Sequence, residues 1–192
     1  MEIKLTWNAT AHKLLDSAEA LIKTKGFNAF SFKDLQNEVG VKTSTIHYYF
    51  STKSALGIAV AERFYERHQQ SLESLQNQDM RPSERLDEVF KFFIANASKG
   101  EFCLGGMLAS DFGTLKDDLK PTLMSFFQHF EKWIEDQIKK GKALGEFRDD
   151  LNENAWSKVL VASLEGGMLI ARVRQDSNYY KELLNSLIHQ IK

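Results

Sequence analysis

Apolar residues recur every three or four positions along this chain, and the polar stretches between them carry helix caps and turn residues rather than the alternation of strands. Ala11, Leu14, Leu15, Ala18, Leu21 and Ile22 share one face, which predicts a first helix from Asn8 to Lys25. Ser31 suits an N-cap, and Asp34 three residues on makes a near capping box ahead of Leu35 and Val39. Gly40 supplies the positive φ at which a chain leaves one helix and begins another after a short turn. Val41, Ile46 and Phe50 then pack back onto the preceding helix. Lys42, Thr43, Ser44, Thr45, His47 and Tyr48 remain as an outward face of donors and flat rings, and Ser51 reads as the cap of the next helix.

That helix is expected from Lys53 to about Gln76, with Leu56, Ala59, Val60 and Phe64 on one side, and Arg81-Pro82 marks its end. Leu86, Val89, Phe90, Phe93, Ile94 and Ala97 stripe the following helix, which Gly100 stops. A short glycine-rich helix or turn lies over 103–108. Pro121 opens an aromatic helix expected to end at Lys139-Lys140-Gly141. Two more stripes predict helices at Asn152 to Arg174 and Tyr179 to Ile191. The pattern is all-α: residues 1–53 form a helix-turn-helix unit, and residues 54–192 a second helical domain.

Composition narrows the chemistry. A hydrophobic content of 43% and two prolines in 192 residues agree with a compact helical chain. No apolar run is long enough to span a bilayer, and Met1 to Ala11 lacks the regions of a signal peptide, so a cytoplasmic protein without membrane partners is expected. One cysteine excludes an intramolecular disulfide framework and a cysteine-rich zinc site. The five histidines, His12, His47, His68, His129 and His189, contain no pair four residues apart, so no metal is expected. Nucleotide fingerprints and nucleophile elbows are absent, and no cofactor is implied. The net charge is -1, but residues 1–53 carry +2 and the remainder -3. DNA affinity would then rest on a few placed contacts and on dimerisation rather than on bulk charge.

The segment VKTSTIHYYFSTKSAL resembles the recognition helix and following helix start of the tetracycline-repressor (TetR/AcrR) family of bacterial transcription regulators. Upstream, LLDSAEALIKTKGFNAFSFKDLQNEVG is similar to that family's first two helices. The resemblance implies a homodimeric repressor that leaves a palindromic double-stranded operator when a small molecule binds. It also implies that Lys33, Lys42, Thr43, Ser44, Thr45, His47, Tyr48 and Lys53 touch DNA. Three departures bear on operator sequence: His47 replaces the usual tyrosine, Gln36 a small alanine, and Lys42 the usual N-cap serine. The rival readings are a ligand-binding or adaptor protein of this fold without DNA affinity, and an all-helical enzyme.

Beyond residue 53 the resemblance rests on layout. An effector pocket is expected among Phe90, Phe93, Met107, Phe127, Phe130 and Trp133, with His129 and Glu165 as polar anchors, although an aromatic stripe is more often core. Cys103, in F-C-L-G-G, resembles the position where some electrophile- or oxidant-sensing family members carry a reactive cysteine, but free cysteine is so often buried that a small buried hydrophobe is the favoured reading. The expected dimer interface is a four-helix bundle of the last two helices through Val159, Gly166, Gly167, Ile170, Leu184, Leu187 and Ile188, with the glycine pair admitting a partner backbone.

Overall fold

The computed structural model describes residues 7–192; positions 1–6, part of the start read as lacking a leader, lie outside the described residues. The regular elements among the described residues are helices: α1 Ala9–Lys25, α2 Phe32–Val39, α3 Thr43–Tyr49, α4 Lys53–Gln76, α5 Pro82–Ser98, α6 Leu104–Ser110, α7 Lys120–Ala143, α8 Glu153–Arg174 and α9 Ser177–Ile191. A 3-10 turn, Phe112–Thr114, follows α6.

Local caps set most of these boundaries. Asn8 Oδ1 accepts from Ala11 N at 3.0 Å to start α1. The capping box of α2 is complete, with Ser31 Oγ accepting from Asp34 N and Asp34 Oδ2 from Ser31 N. Gly40 ends α2 at φ 75°, a left-handed conformation that costs glycine little. Thr52, not Ser51, caps α4: its backbone is extended immediately before Lys53, and its hydroxyl accepts from Ala55 N at 3.0 Å. α7 continues through Lys139-Lys140-Gly141 to Ala143, because Gly141 leaves room for the Phe147 ring instead of stopping the helix.

The helices pack around one continuous apolar core. Leu14, Leu15, Leu35, Ile46 and Phe50 fill the N-terminal three-helix unit, and Leu56 and Val60 at the start of α4 close it. Farther on, Phe90, Phe93, Phe126, Phe130, Ile134 and Leu164 join α5, α7 and α8. Removing a side chain such as Phe130, which is fully buried, would cost about 3–5 kcal/mol. α4, 24 residues long, therefore belongs to both parts of the molecule.

The expected interface residues divide. Leu184 is only 1% exposed in a single chain and belongs to its own core, as do Tyr180 and Ile191 on the same stripe. Gly167 lets Tyr180 and Leu183 of α9 approach α8, so its close contact is within the chain rather than with a partner. Leu187 and Ile188 are half-buried against the core. Val159 and Ile170 are exposed, and the space beside Gly166 is open.

Candidate nucleic-acid interface and ligand cleft

α3 is a short helix held from below and left free above. Ile46 and Phe50 are buried under it, while Lys42, Ser44 and His47 are exposed and the Tyr48 ring is 83% exposed. Thr43 and Thr45 are half-buried at its edge, and Lys33 is exposed on α2. Tyr49, beside Tyr48, takes the packing role instead, with its hydroxyl accepting from Asn8 Nδ2. Lys42 stands at the N-cap without a side-chain capping bond. Gln36 supplies the missing acceptor: its Oε1 takes the Thr43 N–H at 3.2 Å and the Thr43 hydroxyl at 2.5 Å. Two departures in the sequence thus compensate one another, and the Thr43 hydroxyl proton is already committed inside the protein.

His47 lies edge-on to Phe32, with ring centroids 4.9 Å apart, and its Nδ1 faces the Ser51 carbonyl at 3.3 Å. Its ring is braced at one edge and open to solvent elsewhere. Lys53 departs furthest from expectation. Its ammonium donates to the Phe30 carbonyl and lies over the rings of Phe27 and Phe30, at 4.9 and 4.4 Å from their centroids. Burial lowers its pKa, opposed by the charges of Asp111 and Asp34. Lys53 is a strut of the N-terminal unit here, with its ammonium engaged by the Phe30 carbonyl and the two rings.

The far half of α4 lines a cleft of about 690 Å³ with α5, the end of α1, the segment before α6 and Met168 of α8. Phe64, Leu72, Leu75, Val89, Phe93 and Phe102 are its principal apolar residues. Of the expected pocket residues only Phe93 is in this wall. Phe90, Met107, Phe130 and Trp133 are buried in the core, the last two because the α7 stripe is consumed by packing against α4, α5 and α8; Phe127 and His129 are half-buried outside the lining. The polar ring in the wall is His68, which the sequence reading passed over. It interrupts the run Phe64, His68, Leu72, Leu75 on one helical face, and that interruption was the available signal.

His68 packs against Phe64, Phe126 and Phe130, with centroids 6.2, 4.8 and 4.9 Å away, and its Nδ1 has no hydrogen-bond partner. Burial, with the neighbouring His129 second, lowers its pKa to about 4, so the ring is neutral at pH 7. Cys103 also touches the cleft. Its thiol is pushed well above the ordinary range, first by burial and then by the charge and hydrogen bonding of Glu165. A sensor needs an accessible thiolate, so the geometry supports the favoured reading, a small buried residue. Glu165, expected as a ligand anchor, lies behind the wall beside Cys103, and burial raises its carboxyl to about 7.

Two connections join cleft and reading face. α4 runs from the cleft to the N-terminal unit. The segment from Phe102 to Thr114 grips the end of α1: Phe102 N donates to Lys23 O at 3.3 Å, and Asp111 Oδ2 accepts from Phe27 N at 2.9 Å. Arg172 of α8 adds a bond to Thr24 O at 3.0 Å and stacks over Phe102. Among the described residues no cluster of three or more His, Cys, Asp or Glu is arranged to hold a metal, and no helix is long and apolar enough to cross a membrane.

Comparison with known proteins gives the same architecture. Residues 14–60 match the family model described as bacterial regulatory proteins, tetR family, and residues 82–187 match the model of the tetracyclin repressor-like C-terminal domain. The HTH-type transcriptional repressor DhaR of Mycobacterium sp. (strain GP1) is 23% identical over 164 residues, covering 85% of this chain and 82% of DhaR. The HTH-type transcriptional repressor NemR of Escherichia coli (strain K12) is 32% identical over 72 residues, 38% of this chain and 36% of NemR. A crystal structure of a TetR transcriptional regulator from Legionella pneumophila superposes with a TM-score of 0.87 at 29% identity, covering 98% of this chain and all of that one.

Proposed function

Because the chain belongs to the tetR family of bacterial regulatory proteins and is a ligand-responsive DNA-binding regulator, we propose that it acts as a homodimeric repressor released from an inverted-repeat operator by a small molecule in the α4–α5 cleft. One relationship carries this reading: the segment that begins in the cleft wall with Phe102 and Cys103 is bonded, through Phe102 N and the Asp111 carboxylate, to the end of α1 and the turn before α2. A ligand that moves this wall moves the unit that presents α3.

In this reading Lys42, Ser44, Thr45 and Tyr48 supply base-edge and phosphate contacts, Lys33 a flanking phosphate contact, and His47 and Thr43 contacts from the braced edge of the helix. The dimer forms on α8. Ala155, Val159, Ala162, Gly166, Leu169 and Val173 follow one another at alternating spacings of four and three, the period of a helix–helix seam. All but the half-buried Gly166 are exposed in the single chain, and Val173 is 85% exposed. α9 turns mainly polar residues outward, so α8 supplies the centre of the interface. A two-fold dimer presents two α3 helices, which fit successive major grooves about 34–36 Å apart.

The effector shifts this arrangement only by its differential affinity for the two states, typically about 1–3 kcal/mol. Fluorescence anisotropy with duplex DNA from immediately upstream of the gene, against a scrambled duplex, tests the reading. Tight, sequence-selective binding by a dimer is expected; equal affinity for both duplexes overturns it.

A further inference from the structure

We propose that the α4–α5 cleft selects an uncharged, ring-bearing molecule, seated among Phe64, Phe93 and Phe102, with one hydroxyl hydrogen-bonded to His68. This deepens the effector-cleft reading above and rests on it.

The argument begins with charge. Four charged side chains line the cleft, Glu19, Lys23, Arg67 and Glu88, and each is paired within the chain. Glu19 receives Arg63 at 3.3 Å and also Arg67; Lys23 meets Glu101 at 3.0 Å; Lys91 meets Glu88 at 2.7 Å. A bound carboxylate or ammonium would have to break one of these pairs or lie unpaired beside apolar walls, and either course costs affinity. His68 offers no compensating cation, since its ring is neutral at pH 7.

Shape and hydrogen bonding complete the argument. A cleft of about 690 Å³ lies within the ordinary range for small-molecule sites, and its phenylalanine rings suit a flat partner. A neutral imidazole both donates and accepts, and among the described residues no hydrogen bond engages the His68 ring; Nδ1 is buried, which leaves Nε2 as the ring nitrogen for a ligand in the cleft. A hydroxyl answers that nitrogen in either tautomer, as donor or acceptor, without bringing charge.

Equilibrium binding to the full chain, followed by naphthyl fluorescence at pH 7.5, tests this with 2-naphthol, 2-methylnaphthalene, 2-naphthoate and 2-naphthylmethylammonium. 2-Naphthol is expected to bind at least about tenfold more tightly than either charged probe. His68→Phe should weaken 2-naphthol roughly fivefold and leave 2-methylnaphthalene unchanged, while His68→Gln, which keeps a donor and an acceptor, retains most of the naphthol affinity. Naphthoate binding as tightly as naphthol overturns the neutral class. Equal losses for naphthol and methylnaphthalene in His68→Phe overturn the role of His68, and no binding by any probe overturns the site. Anisotropy with the upstream duplex separates this from the regulator reading. DNA held unchanged while naphthol binds through His68 supports the site and counts against its role in induction; absence of selective DNA binding defeats the repressor reading alone.

Discussion

Asp111 and Asn28 join the two parts of the molecule: Asp111 Oδ1 accepts from Asn28 Nδ2 at 3.0 Å, and the same amide nitrogen donates to Thr114 Oγ1 at 2.7 Å. With the bonds from the Phe27 and Asn28 backbone to Asp111 Oδ2, one carboxylate at the end of α6 holds the turn between α1 and α2.

Asp111→Ala removes that grip and strands the Phe27 N–H. The expected cost is about 1–3 kcal/mol of stability. Ligand affinity should change little while ligand-induced release of DNA weakens, because cleft and reading unit are no longer tied. Thermal unfolding together with anisotropy in the presence and absence of ligand checks both parts; full release by the variant would show that coupling runs through α4 alone.

The lysines should separate by role. Lys42→Ala removes an exposed charge beside α3 and is expected to weaken all duplexes, lowering the salt slope by about one. Lys53→Ala should instead destabilise the N-terminal unit by about 1–2 kcal/mol, through loss of the bond to Phe30 O and the ring contacts, with a nearly unchanged salt slope. Binding titrations across salt and chemical denaturation distinguish the two outcomes.

The helix pair α8 and α9 gives opposite outcomes for two similar substitutions. Val159→Glu places a charge on the exposed seam and should yield a folded monomer with weak operator binding. Leu184→Glu buries the charge within one chain and should unfold the C-terminal domain, at a cost of about 4 kcal/mol or more. Light scattering and circular dichroism on both variants decide which residue belongs to which surface.

Glu165 makes stability depend on pH. Burial raises its folded-state pKa to about 7 from an ordinary 4.5, so its neutral form is favoured in the fold. This contribution is complete below about pH 4.5 and is lost as pH rises through 7, a change of about 3 kcal/mol. Glu165→Gln cannot ionise. Its melting temperature, compared with that of the wild type, should rise in relative terms from pH 5 to pH 8; a constant difference across that range would remove the buried carboxyl as the cause.

The DNA-reading unit was legible because its signals are local. Ser31 with Asp34, Gly40, and the spacing of Leu35, Ile46 and Phe50 act within a few residues of one another, and each reappears in the fold as a cap, a turn or a buried contact. The proposed dimer surface was less legible: Val159 and Ile170 are exposed and the space beside Gly166 is open, but Leu184 is buried in its own chain, since an apolar stripe has the same period whether it meets its own chain or another.

Sequence by itself determined the helices, most of their boundaries and the exposed donors of α3, because capping and amphipathic spacing depend on neighbours along the chain. Tertiary structure alone decided what each apolar or charged group was used for. It committed Lys53 to Phe30, Gln36 to Thr43, the α7 aromatics to the core and His68 to the cleft wall. Those assignments depend on which helix faces meet across tens of residues, and periodicity within one helix carries no record of its partner.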